Sequence, residues 1–166
     1  MAKSTFGYAI LVVAGNFLLI SCSQPKTMAF DVDTSAIPDM AVEVIIHSEL
    51  NPDDYYAFTR KTLQMMDIKI LRNAAGDRVL RTHPVPIGRG LWLTIIVETY
   101  YDATYLTTVS KFSGRIHDMR INDYTGTDVR VAYWNSENDK SAHAFGQLVG
   151  IASKIEHSTM TFAISR

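Results

Sequence analysis

From Ala41 onward, alternation of apolar and polar residues marks the elements one by one. "AVEVIIHSEL" (41–50) is β-branched and mostly apolar, which predicts a strand with Val42, Val44 and Ile46 on one face. "NPDD" follows: Asn51 suits a helix cap, Pro52 the first helical position, and Asp53 and Asp54 the positive end of the helix dipole. The helix is predicted to reach about Met66, with Tyr55, Phe58, Thr62, Leu63 and Met66 near one core-facing stripe. Ile68 and Ile70, then Val79 and Arg81, predict two strands around "NAAGD", where Gly76 serves the turn. "PVPIGRG" (84–90) reads as a Pro/Gly loop that leaves the sheet. "LWLTIIVETY" (91–100), the turn "YDAT" and "YLTTVSKF" (105–112) predict a long antiparallel hairpin.

The remainder is less regular. "RIHDMRI" and "DVRVAYW" each suit a strand around "NDYTGT". "NSENDK" supplies caps for a last helix that places Ser141, Phe145, Leu148, Val149, Ala152 and Ile155 on one side. "HSTMTFAISR" is β-prone and either adds an edge strand or frays. The order predicts an α+β domain over 41–166: an antiparallel sheet of about five strands with two helices packed on one face.

The N-terminus follows another pattern. A short start with one charge, Lys3, leads into an uncharged, mostly apolar run from Phe6 to Ile20. Fifteen residues are few for a helix crossing a bilayer and suit the apolar core of a secretory signal. The run ends at "LISC" (Leu19, Ile20, Ser21, Cys22), and Cys22 is the sole cysteine of the chain. "LISC" resembles the lipobox of bacterial lipoproteins. The resemblance implies a signal peptide over 1–21, cleavage before Cys22, and acylation of its thiol and new amine. Several acyl chains at about 0.8 kcal/mol per buried methylene would hold the chain on a membrane. Ser23, where aspartate tends to mark inner-membrane retention, points to the periplasmic face of the outer membrane. The alternatives are an uncleaved anchor helix and a catalytic cysteine; nothing in the sequence sets a base beside Cys22.

"SQPKTMAFDVDTSAIPDM" (23–40) has two prolines and small polar residues, so residues 22–40 are expected to form a flexible tether. The other reading is an irregular segment packed on the domain. Met28, Phe30 and Val32 alternate with polar residues and suit brief pairing as an edge strand.

The run from Val42 to Val85, with its capped helix, its "DIKIL" strand, its Gly-Asp turn and its strand ending in Thr and Pro, has a second likeness. Together with the hairpin and "AFGQLVGIASKI", it resembles the helix-grip, or TATA-binding-protein-like, domains of envelope lipoproteins. Those of the lipoprotein C subunit of the bacterial barrel-assembly machinery are of this kind. The likeness is one of elements over roughly 41–156 and carries no functional residue with it.

Charge narrows the choices little. Sixteen basic and seventeen acidic residues give a net charge of -1, so no general attraction to nucleic acid is expected. A single cysteine excludes an internal disulfide and any two-thiolate metal site. His47, His83, His117, His143 and His157 lack metal-ligand spacing. His117 and Asp118 are adjacent and would face opposite sides of a strand. "GRG" (88–90) lacks the context of a phosphate loop, and "NPDD" and "ENDK" fit helix caps better than acid/base pairs. No enzyme, cofactor or metal is expected.

Aromatic residues cluster around the hairpin: Trp92, Tyr100, Tyr101, Tyr105, and Tyr133 with Trp134 in "AYW". They serve either cross-strand packing or recognition. The expected function is a non-enzymatic envelope lipoprotein. It would bind the membrane through Cys22 and another envelope protein through the sheet face or the hairpin tip around Asp102. Its candidate surface is Trp92, Tyr100, Tyr101, Tyr105 and Trp134. The alternative is a small-molecule or lipid carrier with an apolar cavity between helix and sheet, lined by Trp92, Ile96, Phe112, Phe145 and Val149.

Overall fold

Asn51 caps the first helix as its neighbours imply. Its side-chain oxygen accepts hydrogen bonds from the N–H groups of Asp53 (3.1 Å) and Asp54 (3.0 Å). The helix, α1, spans Pro52–Met65. The computed structural model describes residues 27–118, 130–135 and 138–165. Tyr55 and Leu63 are fully buried, and Phe58 and Met66 pack against the core from its edge. Tyr56 and Thr59 are buried as well, and neither hydroxyl has a hydrogen-bond partner among the described residues.

Before α1 lies strand β1 (Ala41–Ser48). After it come β2 (Ile70–Ala74), a 3-10 turn (Ala75–Asp77), β3 (Val79–Thr82), β4 (Val85–Gly88), β5 (Leu91–Asp102), β6 (Thr107–Asp118), β7 (Arg130–Val131), the helix α2 (Asp139–Ala152) and β8 (Thr159–Ile164). The strands form one antiparallel sheet in the order β2-β3-β5-β6-β1-β8. β4 joins β5 beyond β3, and β7 joins β6 beyond β1.

Eight strands replace the expected five or so. "PVPIGRG" does not leave the sheet. Val85 and Ile87 point inward and Pro86 lies on an edge, where a missing N–H costs no ladder bond. Its carbonyl instead accepts a hydrogen bond from Met28 N–H (2.9 Å). β6 does not stop at Phe112 but runs to Asp118 through Gly114. A methyl group at position 114 would come within 2.8 Å of Leu93 and 3.1 Å of Ala132, so this glycine permits close packing of the sheet on its neighbours. The expected strand "RIHDMRI" is thus the end of β6 as far as Asp118; the residues between 118 and 130 lie outside the described ones. The C-terminal "TMTFAI" forms an edge strand.

The register separates two faces. Leu93, Ile95 and Val97 of β5, Phe112 and Ile116 of β6, and Val44 and Ile46 of β1 share the face on which the helices lie. α2 adds Phe145, Leu148, Val149 and Ala152, and all the residues expected on its inner side are buried. Asn138 caps it by accepting from Ser141 N–H (3.2 Å). The opposite face of the sheet carries no helix among the described residues. None of the described helices is long and apolar enough to cross a membrane.

Residues 28–32, within the expected tether, run against α2. The Gln147 amide oxygen accepts from Phe30 N–H (2.9 Å), and its nitrogen donates to Phe30 O (3.2 Å). Met28, Phe30 and Val32 all pack on the core; their alternation is real, and beyond the single bond from Met28 to β4 their support is the helix α2.

Candidate functional site

On the open face a groove of about 750 Å3 crosses β5, β6, β1 and β8 beside the hairpin tip. Strand register builds it row by row. Glu98, Lys111, Ile45 and Thr161 lie side by side, and Tyr100, Val109, His47 and Thr159 form the next row. Asp102 and Thr107 close the hairpin end, with Tyr105 and Ser158 at the margins.

The tip is held by its own side chains. Asp102 accepts from the N–H groups of Thr104 (2.8 Å) and Tyr105 (3.4 Å), forming an Asx turn. Leu106 then takes a positive φ of 53°. Thr107 Oγ1 donates to Ser48 O (2.8 Å) and Thr108 Oγ1 to Leu50 O (2.6 Å), which ties the tip to the end of β1. Ser158 donates through both its N–H and its Oγ to His47 O, each at 2.9 Å, and so fixes the start of β8 beside the groove.

The groove floor is apolar and its walls are polar. Val109 is only 2% exposed although it faces away from the core. Tyr105 stands edge-on to His47, with ring centroids 6.4 Å apart. The Lys111 ammonium sits 5.4 Å from the centre of the Tyr100 ring. Contact with Tyr100, and then the carboxylates of Glu43 and Glu98, hold the Lys111 pKa above its ordinary value, so its positive charge is retained. The groove therefore offers one fixed cation, two tyrosines and a set of hydroxyls over an apolar floor.

The five aromatic candidates do not converge. Tyr100 (37% exposed) and Tyr105 (72% exposed) line the groove. Tyr101 (51% exposed) belongs to the opposite face, paired with Thr108. Trp92 lies at the far end of β5, half-buried between Pro86 and His117, as cross-strand packing requires. Trp134 is also half-buried and packs on the core, and its backbone N–H donates to Ala41 O (2.7 Å). The residues proposed for a carrier cavity divide as well. Phe112, Phe145 and Val149 are buried between sheet and helix, whereas Trp92 and Ile96 belong to the open face.

His47, Lys111, Ser158, Thr159 and Thr161 escaped the sequence reading. Alternation alone assigns each to a face of its strand, but not the order β5-β6-β1-β8 that makes them neighbours. His117 bonds to Thr94 Oγ1 (2.9 Å), and burial first, then Arg81 and Arg115, push its pKa down. His143 donates to Ile87 O (2.7 Å) and His157 to Ile155 O (2.6 Å), both ties within the fold. Among the described residues no three His, Cys, Asp or Glu side chains group as metal ligands. Cys22 lies outside the described residues. No protein-family model and no curated protein matches the chain.

Proposed function

We propose that this protein is a lipid-anchored module of the bacterial envelope that binds another envelope protein through the open face of its sheet. Cys22, after its signal-like apolar run, is the attachment point, on the periplasmic face of the outer membrane. The domain is read as helix-grip-like, since both helices lie on one face of a sheet centred on the long β5–β6 hairpin. The observation that carries the binding reading is the groove beside the hairpin, with Tyr100 and Tyr105 exposed along it. Exposed tyrosines around a partly apolar floor suit protein contacts, because rigid aromatic rings bury much area at low entropic cost. Among the described residues of the groove no nucleophile and base share a hydrogen bond, so binding is the reading favoured over catalysis.

The test has two arms. Mass spectrometry of the protein from native membranes should find an acylated Cys22 as its first residue; an N-terminus still at Met1 would contradict the anchor. Solubilised in mild detergent, the parent chain should co-purify with one envelope protein at a fixed ratio. Tyr100→Ser combined with Tyr105→Ser should lower that recovery by about tenfold or more. Equal recovery from both forms would refute the groove as the contact.

A further inference from the structure

The sheet ends in two edges of different construction. At one, β2 has a register irregularity between Ile70 and Arg72, follows Lys69, contains Arg72, and gives way to a 3-10 turn. Bulges and charges of this kind keep an edge from pairing with another strand. At the other, β8 reads "TMTFAI", six residues without a charge, a proline or a glycine. It pairs with β1 in regular register from Glu43–Ala163 to His47–Thr159, and among the described residues no strand pairs with its outer side. Met160 and Phe162 are half-buried on the helix side, and Ile164 is 58% exposed.

We propose that β8 is an interface edge, and that its occupant is β8 of a second copy of this chain, paired antiparallel. Such pairing satisfies the outward backbone groups of both strands. A twofold axis sets a strand against itself, so an edge whose charges are all of one sign would meet like charges. β8 meets that demand because it has none, while the β2 edge with Lys69 and Arg72 does not. With Thr161 at the axis, the pair sets the half-buried Phe162 of each copy against Met160 of the other on the helix side. On the open face Thr161 meets Thr161 of the second copy as a hydroxyl pair, and Thr159 meets Ala163. The axis stands normal to the sheet, so both grooves face the same way on one continuous sheet. This pairing goes beyond the docking role and does not depend on it.

The test uses the full chain in mild detergent with Cys22→Ser, which removes the only native thiol. Its mass is followed by sedimentation up to about 1 mM, the range in which weak pairs are half formed. The expected result is a concentration-dependent dimer that Thr161→Lys returns to a monomer. Independently, Thr161→Cys should yield a disulfide-linked dimer on mild oxidation, while Gln64→Cys, exposed on α1, should not. A parent that stays monomeric overturns the proposal and points to a different occupant of the edge. A dimer untouched by Thr161→Lys, or one cross-linked equally from position 64, overturns it as well.

Discussion

Tyr55 is fully buried in the first turn of α1 and donates its hydroxyl to Glu156 O at 2.8 Å. Burial first, and then the charge of Glu156, push its phenol well above the usual 10.0. The folded pKa is thus the higher one. The contribution to stability is complete below about pH 10 and is lost as pH rises beyond it, because only the unfolded chain then releases the proton. Denaturant midpoints measured across that range should fall more steeply for the parent than for Tyr55→Phe. At neutral pH the same variant should be less stable by about 1 kcal/mol, the net worth of one hydrogen bond. Parallel curves would show that Tyr55 carries no such linkage. The helical stripe shows that Tyr55 faces the core; it does not show the carbonyl of Glu156, which lies 101 positions further along the chain.

α2 is covered on two sides, by the sheet and by residues 28–32. Its two glycines differ for this reason. A methyl group at Gly150 would overlap Phe30 Cβ and lie 2.7 Å from Phe30 Cγ, whereas one at Gly146 meets nothing within 4 Å. Gly150→Ala should therefore dislodge residues 28–32, destabilise the domain by about 1–3 kcal/mol and open the segment to limited proteolysis. Gly146→Ala should leave proteolysis unchanged and add up to about 1 kcal/mol through helix propensity. The same digestion pattern for both would contradict the packing of residues 28–32 on α2. The alternation of Met28, Phe30 and Val32 was legible as a face in search of a partner. That a helix receives Phe30 and Val32 was not, because a glycine in a helix does not announce the side chain that fills its gap. β4 was missed for a related reason: "PVPIGRG" has the residues of a loop, yet Val85 and Ile87 still alternate inward on an edge that tolerates proline.

For the whole molecule, the α+β layering and both helices follow from periodicity and caps, which are local. The sheet order is not local. It places β1 between β6 and β8, strands contributed by the start, middle and end of the domain. The groove depends on that order, so Tyr100 and Tyr105 were visible as aromatic candidates while His47, Lys111 and Thr161 were not. Trp92 and Trp134 shared their composition signal and went elsewhere, into cross-strand and core contacts. In the function proposed, the open sheet face, not the space between helix and sheet, receives the partner. Replacing Tyr105 by a photo-cross-linking residue in cells tests this most directly, with Gln64 on α1 as the comparison site. One discrete adduct is expected from position 105, lost when Lys111→Glu is added, and none from position 64. An adduct from position 64 with none from position 105 would contradict it.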